Sequence, residues 1–530
     1  MSNDKFVIED TILKEVNKRL RKVEIPEGVT SIAEGVFENC KSLQSIVIPN
    51  SVTSIGEKAF NGCTSLKSVV IPEGVTSIKK EAFRDCTSLE SVVIPNSVTS
   101  IGQDAFQECT SLEAVVIPDS VTSIGEGAFY RCSSLQSVII PNSVTSIGEM
   151  AFAGCTSLKS VVIPEGVTSI AQFTFYRCTS LESVVIPNSV TSIGVSAFSE
   201  CKSLKSVVIP DSVTSIGNGA FFWCGSLQSV IIPNSVTSIG DGAFAGCSLK
   251  SVVIPDSITS IADRTFSSSN IESVVIPDSV TSIGNGAFQE NLIKSINIPD
   301  SVTFIGRANF YRCFNLQSVV IPDGVTSIEP ALFSGDTALK SVVIPKSVTS
   351  IGQEAFTSCK SLESIDIPDG VTSIGKVAFC WCSSIQSVVI PDGVTTIEEG
   401  LFHHCTSLKS VVIPDSVTSI KKSAFRDCTS LESIIIPKSV TFIEKKVFEF
   451  CTSLKSIVIP EGVPYIGEYL FADCESLESI VIPESVTSIK KCAFDGCTSL
   501  KTINFLGTRN QWKELKLKLD GNIIVKCSDE

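Results

Sequence analysis

Histidine is almost missing from this chain of 530 residues; His403 and His404 are the only two, side by side. Most general acid–base chemistry goes with it, because imidazole is the side chain that titrates near neutrality. No Ser-His-Asp set, zinc-ligand spacing or phosphate-cradling glycine loop is present. These absences point away from an enzyme, a cofactor and a metal. The histidine pair reads as a variable loop beside Cys405. Charge is scarce too: 18% of residues carry it, with a net charge of −14. A nucleic-acid partner needs a basic stripe to displace counterions, so nucleic acid is not expected. No apolar run approaches the ~20 residues that span a bilayer. The first ten residues hold no apolar segment of signal-peptide length. The expectation is a cytosolic chain or a mature product whose leader is missing.

What is abundant is repetition. An Ile-Pro step occurs twenty-one times, from Pro26 to Pro483, at intervals of 23 residues except for three of 22 between Pro233 and Pro299. A period of this size means a solenoid, in which function resides in columns of residues and not in one pocket. Ser45-Ile46-Val47-Ile48 is β-branched and bounded by a turn, so it reads as a strand. Pro49-Asn50-Ser51 is the turn. Val52 to Ile55 is a second short extended segment, and Gly56 to Phe60 with the next residues is a turn of helix or 3₁₀. The inward set is Leu43, Ile46, Ile48, Val52, Ile55, Ala59, Phe60 and Cys63. One phenylalanine recurs in every repeat from Phe37 to Phe494, which implies a stacked aromatic spine. One coil cannot bury this set alone; neighbours at the ~4.8 Å strand spacing do so together.

The pattern C-x-x-L-x-x-[VI]-x-I-P-x-x-V-x-x-I-G-x-x-A-F resembles the BspA-like, or Treponema pallidum type, leucine-rich repeat. The likeness covers residues 23–505. Phe6 to Leu13 is similar to the leading hairpin of that family, and Gly507 to Trp512 to its closing cap, with Thr508 and Gln511 placed for a capping box. The resemblance implies a right-handed leucine-rich-repeat superhelix with a parallel β-sheet on one face. Short strands and helical or 3₁₀ turns would form the others. The expected organisation is an N-terminal cap over 1–22, the solenoid over 23–505 and a C-terminal cap over 506–530. The resemblance also implies a non-catalytic protein-binding role, adhesion in several microbial members, and no catalytic residues. Many family members carry an export signal, which sets a cell-surface or secreted alternative beside the cytosolic one.

Read by column, eighteen of the twenty-one cysteines fall in one register, from Cys40 to Cys497. Beside the buried phenylalanine a thiol acts as a small hydrophobe. Parallel Cβ vectors and an odd total favour free thiols over disulfides. Such a reduced ladder fits a reducing compartment. The residue two before each proline points out of the coil and is Val or Ile except at Glu24, Asn297 and Asp366. Five before each proline lies a charge column, including Lys67, Glu90, Glu182 and Lys205, in which opposite charges on adjacent coils set the register. The threonine column from Thr30 to Thr487 suits cross-coil Thr–Thr bonding; a flat second rank for ice binding is missing. Acidic residues follow fourteen prolines, but no calcium-loop motif surrounds them.

Two surfaces remain for a protein partner. One is the valine face, represented by Val162, Val185 and Val208. The other is a set of corner aromatics and arginines: Tyr130, Arg131, Tyr176, Arg177, Phe222, Trp223, Tyr311 and Arg312. Aromatics and Arg are anchor types of interfaces. A 46-residue super-period, shared with Asn50, Asn96 and Asn142, also explains them as a duplication scar. The expected function is a non-catalytic scaffold that binds a protein through the sheet face. The alternative is a structural or self-assembling rod whose valine stripe buries itself against another copy. The three short intervals predict a local change of curvature or twist over 240–300.

Overall fold

The computed structural model describes residues 2–3, 5–517 and 523–530. The chain forms two compact units, Met1–Ile258 with Arg264–Ile271, and Thr259–Asp263 with Glu272–Glu530. Each is a solenoid of short parallel strands. The division falls among the 22-residue coils, where the spacing of the chain itself changes.

One coil shows how the sequence builds the rest. Ser68–Val70 is the first strand, Val75 N–H donates to Pro72 O at 3.0 Å to close the turn, and Ser77–Ile78 is the second strand. The corner expected as a turn of helix or 3₁₀ is built differently. Glu81 and Asp85 stand at φ 54° and 56°, in the left-handed region that interrupts a right-handed helix. Alternate amides then serve different partners. Those of Glu81, Phe83 and Asp85 donate to Gln103, Ala105 and Gln107 of the next coil at 2.8–2.9 Å; Ala82, Arg84 and Cys86 close turns within their own coil. The corner is thus a ladder of turns, and every buried amide in it has an acceptor. At Gly148 a Cβ would collide with the Glu126 amide nitrogen. The glycine of the Ile-Gly step marks where backbone meets backbone.

The inward set is buried as expected, apart from the half-buried Ile48. The phenylalanines stack. In the first unit ring centroids lie between 4.9 Å (Phe37–Phe60) and 5.7 Å (Phe152–Phe175), with planes within 9° of parallel. In the second unit the spacing lies between 5.4 Å at Phe333–Phe356 and 6.4 Å at Phe288–Phe310. Each ring gains about 2–3 kcal/mol from burial and more from its stacked neighbours.

The cysteines are all free, but they are more than small hydrophobes. From Cys63 to Cys497 the thiols of the column donate to the phenylalanine carbonyl of the coil before, as in Cys63 Sγ to Phe37 O and Cys86 Sγ to Phe60 O, both 3.1 Å. Burial pushes the Cys178 thiol up to about 12, so it remains a protonated donor. Where the column loses cysteine, a polar group stands in. Ser269 Oγ donates to Phe244 O at 2.7 Å. Asp336 is fully buried, accepts the Cys313 amide at 2.7 Å, and leaves its second oxygen without a partner.

The threonine hydroxyls make the expected cross-coil Thr–Thr bonds, and make them through the main chain. They donate to the backbone carbonyl of the preceding threonine, as Thr99 Oγ1 does to Thr76 O at 3.1 Å. A side-chain pair of hydroxyls joins Thr11 and Thr30 at the N-terminal end. The serines of the proline turn act alike, Ser97 Oγ reaching Val75 O at 2.7 Å. Hydroxyl columns thus tie coil to coil through the main chain.

The ends of the solenoid differ from its coils. Phe6–Glu9 and Ile12–Val16 form an antiparallel hairpin through a two-residue turn, Asp10-Thr11, both at positive φ. Ile12 and Leu13 then pair parallel with Ser31 and Ile32. At the other end Arg509–Glu514 is a helix whose N-cap Thr508 and Gln511 form the expected capping box. Trp512 packs on Phe505 at 5.4 Å, and Ile524–Lys526 pairs with Thr502–Asn504.

Candidate functional site

The first strands set out the valine face. Their pattern is exposed–buried–exposed, so the central residue enters the core while the residue two before proline faces solvent. Val162, Val185 and Val208 are 61%, 56% and 77% exposed. They lie on successive strands, Ser160–Val162, Ser183–Val185 and Ser206–Val208, of a four-stranded parallel sheet that ends at Ser229–Ile231. Ser68–Val70 pairs only with Ser91–Val93, and Ala114–Val116 only with Ser137–Ile139, among the described residues. The single long sheet of the sequence reading is therefore a series of short ones on this face. The second-strand column also divides into sheets, of two to five strands.

In the second unit two of the interruptions coincide with a polar residue in the column. No strand forms at 364–366, which carries Asp366, and 295–297, which carries Asn297, keeps one bridge from Ser295 to Ser318. Asn297 and Asp366 suit a strand less well than valine, although Glu24 is kept in the paired strand Lys22–Glu24. Residues 433–435 leave the ladder as well. Beside them an open cleft of about 880 Å³ lies against Ile435, Val458 and Leu506. Ile435 is the most exposed Val or Ile of the column at 84%.

The corner residues are organised by a neighbour that the sequence reading missed. Arg131 Nη1 bonds Glu108 Oε1 at 2.9 Å, and Arg177 Nε bonds Glu200 Oε1 at 3.1 Å. Each arginine also lies 5.0 Å from the ring of its own Tyr130 or Tyr176, and the Tyr176 hydroxyl donates to Glu200 at 3.1 Å. Arg312 repeats the arrangement in the second unit, 5.0 Å from Tyr311 and 3.9 Å from Glu290. These are three separate Tyr-Arg-Glu groups. Glu108, Arg131, Arg177, Glu200, Glu290 and Arg312 all occupy one left-handed column; an offset of one coil period was the signal that could have found the glutamates. Phe222 and Trp223 pack on each other at 6.1 Å and remain 39% and 56% exposed. Trp223 lies over Gly246, where a Cβ would come within 2.9 Å of its ring.

The charge column behaves as its alternation implies. Lys205 Nζ lies 2.7 Å from Glu182 and holds that carboxyl below the usual range by its hydrogen bond. Lys455 and Glu432 repeat the pair at 2.7 Å, and Lys67 and Glu90 stand at 3.5 Å. All six side chains are more than half exposed, so these pairs act on register more than on stability. No helix among the described residues is long and apolar enough to cross a membrane.

Comparison with curated proteins finds no match. A leucine-rich repeat protein from Bacteroides ovatus is 23% identical, with 99% of each chain covered and a TM-score of 0.41. Another from Eubacterium ventriosum is 26% identical over 60% of this chain and 83% of that one, at a TM-score of 0.38. The leucine-rich repeat protein of T. pallidum is 32% identical over 38% of this chain and 87% of its own, at a TM-score of 0.29. The family model for the BspA type leucine-rich repeat region matches residues 7–135, 99–225, 214–340, 303–432 and 418–515. The chain is a member of the BspA type leucine-rich repeat family, a repeat scaffold.

Proposed function

We propose that this scaffold is non-catalytic and binds a protein partner through its valine face. The supporting observation is the face itself. Val47 to Val458 stand more than half exposed in coil after coil, flanked by serines that leave the row sterically open. Soluble monomers seldom carry so extended an apolar stripe without a use for it. The four-stranded sheet bearing Val162, Val185 and Val208 gives the row its firmest backbone in the first unit, and a firm backbone lowers the ordering cost of binding. The corner aromatics are secondary anchors, with Phe222 and Trp223 the most available. An adhesive role, as in similar microbial proteins, is one form this binding takes.

The test is capture. Val162→Lys, Val185→Lys and Val208→Lys together should abolish recovery of a partner isolated with the wild-type chain. Unaltered recovery would move the site off this face. A second reading is a rod that packs valine face against valine face. Exposure of the whole row favours it as well, whereas Asn297 and Asp366 would have to be tolerated inside such a contact. Light scattering after size exclusion separates the two: a mass independent of concentration removes the self-packing rod.

A further inference from the structure

His403 and His404, read from sequence as a variable loop, meet a third group one coil on. Asp427 follows His404 by 23 residues and shares its column, and both stand at φ 60°. Their amides donate to Arg426 O and Glu449 O of the following coils at 2.9 Å each. The two side chains therefore leave neighbouring coils from equivalent, main-chain-anchored positions. His403 Nε2 lies 3.3 Å and His404 Nε2 3.5 Å from the same carboxylate oxygen, Asp427 Oδ2. One ligand atom from each of the three residues can be chosen so that all lie within 4.8 Å of one another. We propose that His403, His404 and Asp427 form a binding site for a divalent transition-metal ion of the zinc class.

The distances carry the inference. Zinc binds imidazole nitrogen and carboxylate oxygen at about 2.0–2.2 Å in a tetrahedron, whose edges are then roughly 3.3–3.5 Å. Both nitrogen–oxygen separations match such an edge. His403 Nε2 is buried, and its 3.3 Å approach to Asp427 Oδ2 lacks hydrogen-bond geometry, a defect that an ion would remove. Two imidazoles and one carboxylate suit a borderline ion, whereas calcium and magnesium require oxygen-rich shells. Supporting contacts are present. Trp381 stacks on His404 at 3.8 Å and His403 on His404 at 4.2 Å, which restrains both rings. Arg426 Nε lies 3.5 Å from Asp427 Oδ2 and 2.7 Å from Glu449 Oε2, which restrains the carboxylate. An open cleft of about 600 Å³, lined in part by His403, Arg426 and Lys446, gives an entry path. Three protein ligands leave a fourth position for water or a partner's side chain.

The experiment uses the full chain, stripped with a chelator and titrated with Zn²⁺ by calorimetry while tryptophan fluorescence is followed. The expected result is one ion per chain with a change in emission, because Trp381 touches a ligand. His404→Asn and Asp427→Asn both suit a left-handed residue, and each should weaken binding by about 100-fold or more, since loss of an outer-shell partner alone costs 10–100-fold. Co²⁺ in the same site should give the visible bands of tetrahedral nitrogen and oxygen ligation. Three outcomes overturn the proposal: no Zn²⁺ uptake at millimolar ion, undiminished affinity in His404→Asn, or a Co²⁺ spectrum dominated by thiolate charge transfer. The last would assign the ion to cysteines.

Discussion

The two long faces of each coil follow the same period and are built to different standards. At the corner, main-chain bonds run from coil to coil without regard to side chain, as Glu81, Phe83 and Asp85 show. Beneath it lie the stacked rings and the thiol-to-carbonyl bonds. On the strand face the pairing comes and goes, and an apolar row faces water. The difference teaches where stability and availability separate. The corner and interior hold the coils together, and the strand face leaves its apolar row exposed. Glu, Arg, Trp, His and Asp succeed one another in the corner column because its amides, not its side chains, make the ladder.

The largest effect should come from the C-terminal end, where the strand face is continuously paired from Ser456–Val458 through Ile524–Lys526. Deleting 506–530 uncovers Ile503 and Phe505, which are buried, and should drive aggregation. A soluble, monomeric truncation in light scattering would deny this segment a capping role. Next is the spine. Phe198→Ala leaves a hole between two stacked rings and should cost about 3–5 kcal/mol in chemical denaturation. A loss below about 1 kcal/mol would mean that the coils close over it and that the interior is not the stronger region.

Asp336 offers a smaller and more selective probe. Burial holds its carboxyl well above the usual carboxylate range. The native chain then keeps a proton that the unfolded chain releases near pH ~4. This contribution is fully present below that pH and declines as pH rises toward the native-state value. Asp336→Cys restores the donor of the column, with Phe310 O as the acceptor that the one-coil rule assigns. It should raise stability at neutral pH by about 1–3 kcal/mol and flatten the decline above pH ~4. An unchanged pH profile would show that the orphaned oxygen carries no cost. The smallest effect on stability belongs to the valine face: Val162→Lys, Val185→Lys and Val208→Lys should each stay within about 0.5 kcal/mol of wild type while capture is lost. A cooperative loss of stability across the three would erase the distinction between the faces.

Much of this was legible in the residues. The Ile-Pro period assigns every side chain to a column, and period-two alternation around each strand separates Val161 inside from Val162 outside. Phe37 to Phe494 could be read as a stack because no other arrangement buries a ring at every period. The candidate corner residues were visible as Tyr130-Arg131 and Tyr176-Arg177, but their partners Glu108 and Glu200 were not, since they are distant along the chain and meet the arginines only one coil away. The same distance concealed Asp427 from His404. The left-handed corner was missed for another reason. Lys58, Glu81 and Phe173 at positive φ contradict local preference, and the inter-coil bonds that compensate them exist only once coils are stacked.

Sequence alone thus determined the repeat, the identity of the interior columns and the outward valine row, because these follow from periodicity and burial along one chain. Only tertiary structure decided which amides pair between coils, why the buried thiols are donors, where the strand face breaks, and which corner groups meet. Each of those depends on what the next coil presents at a distance of about 5 Å, and that spacing appears only when the chain has wound back upon itself.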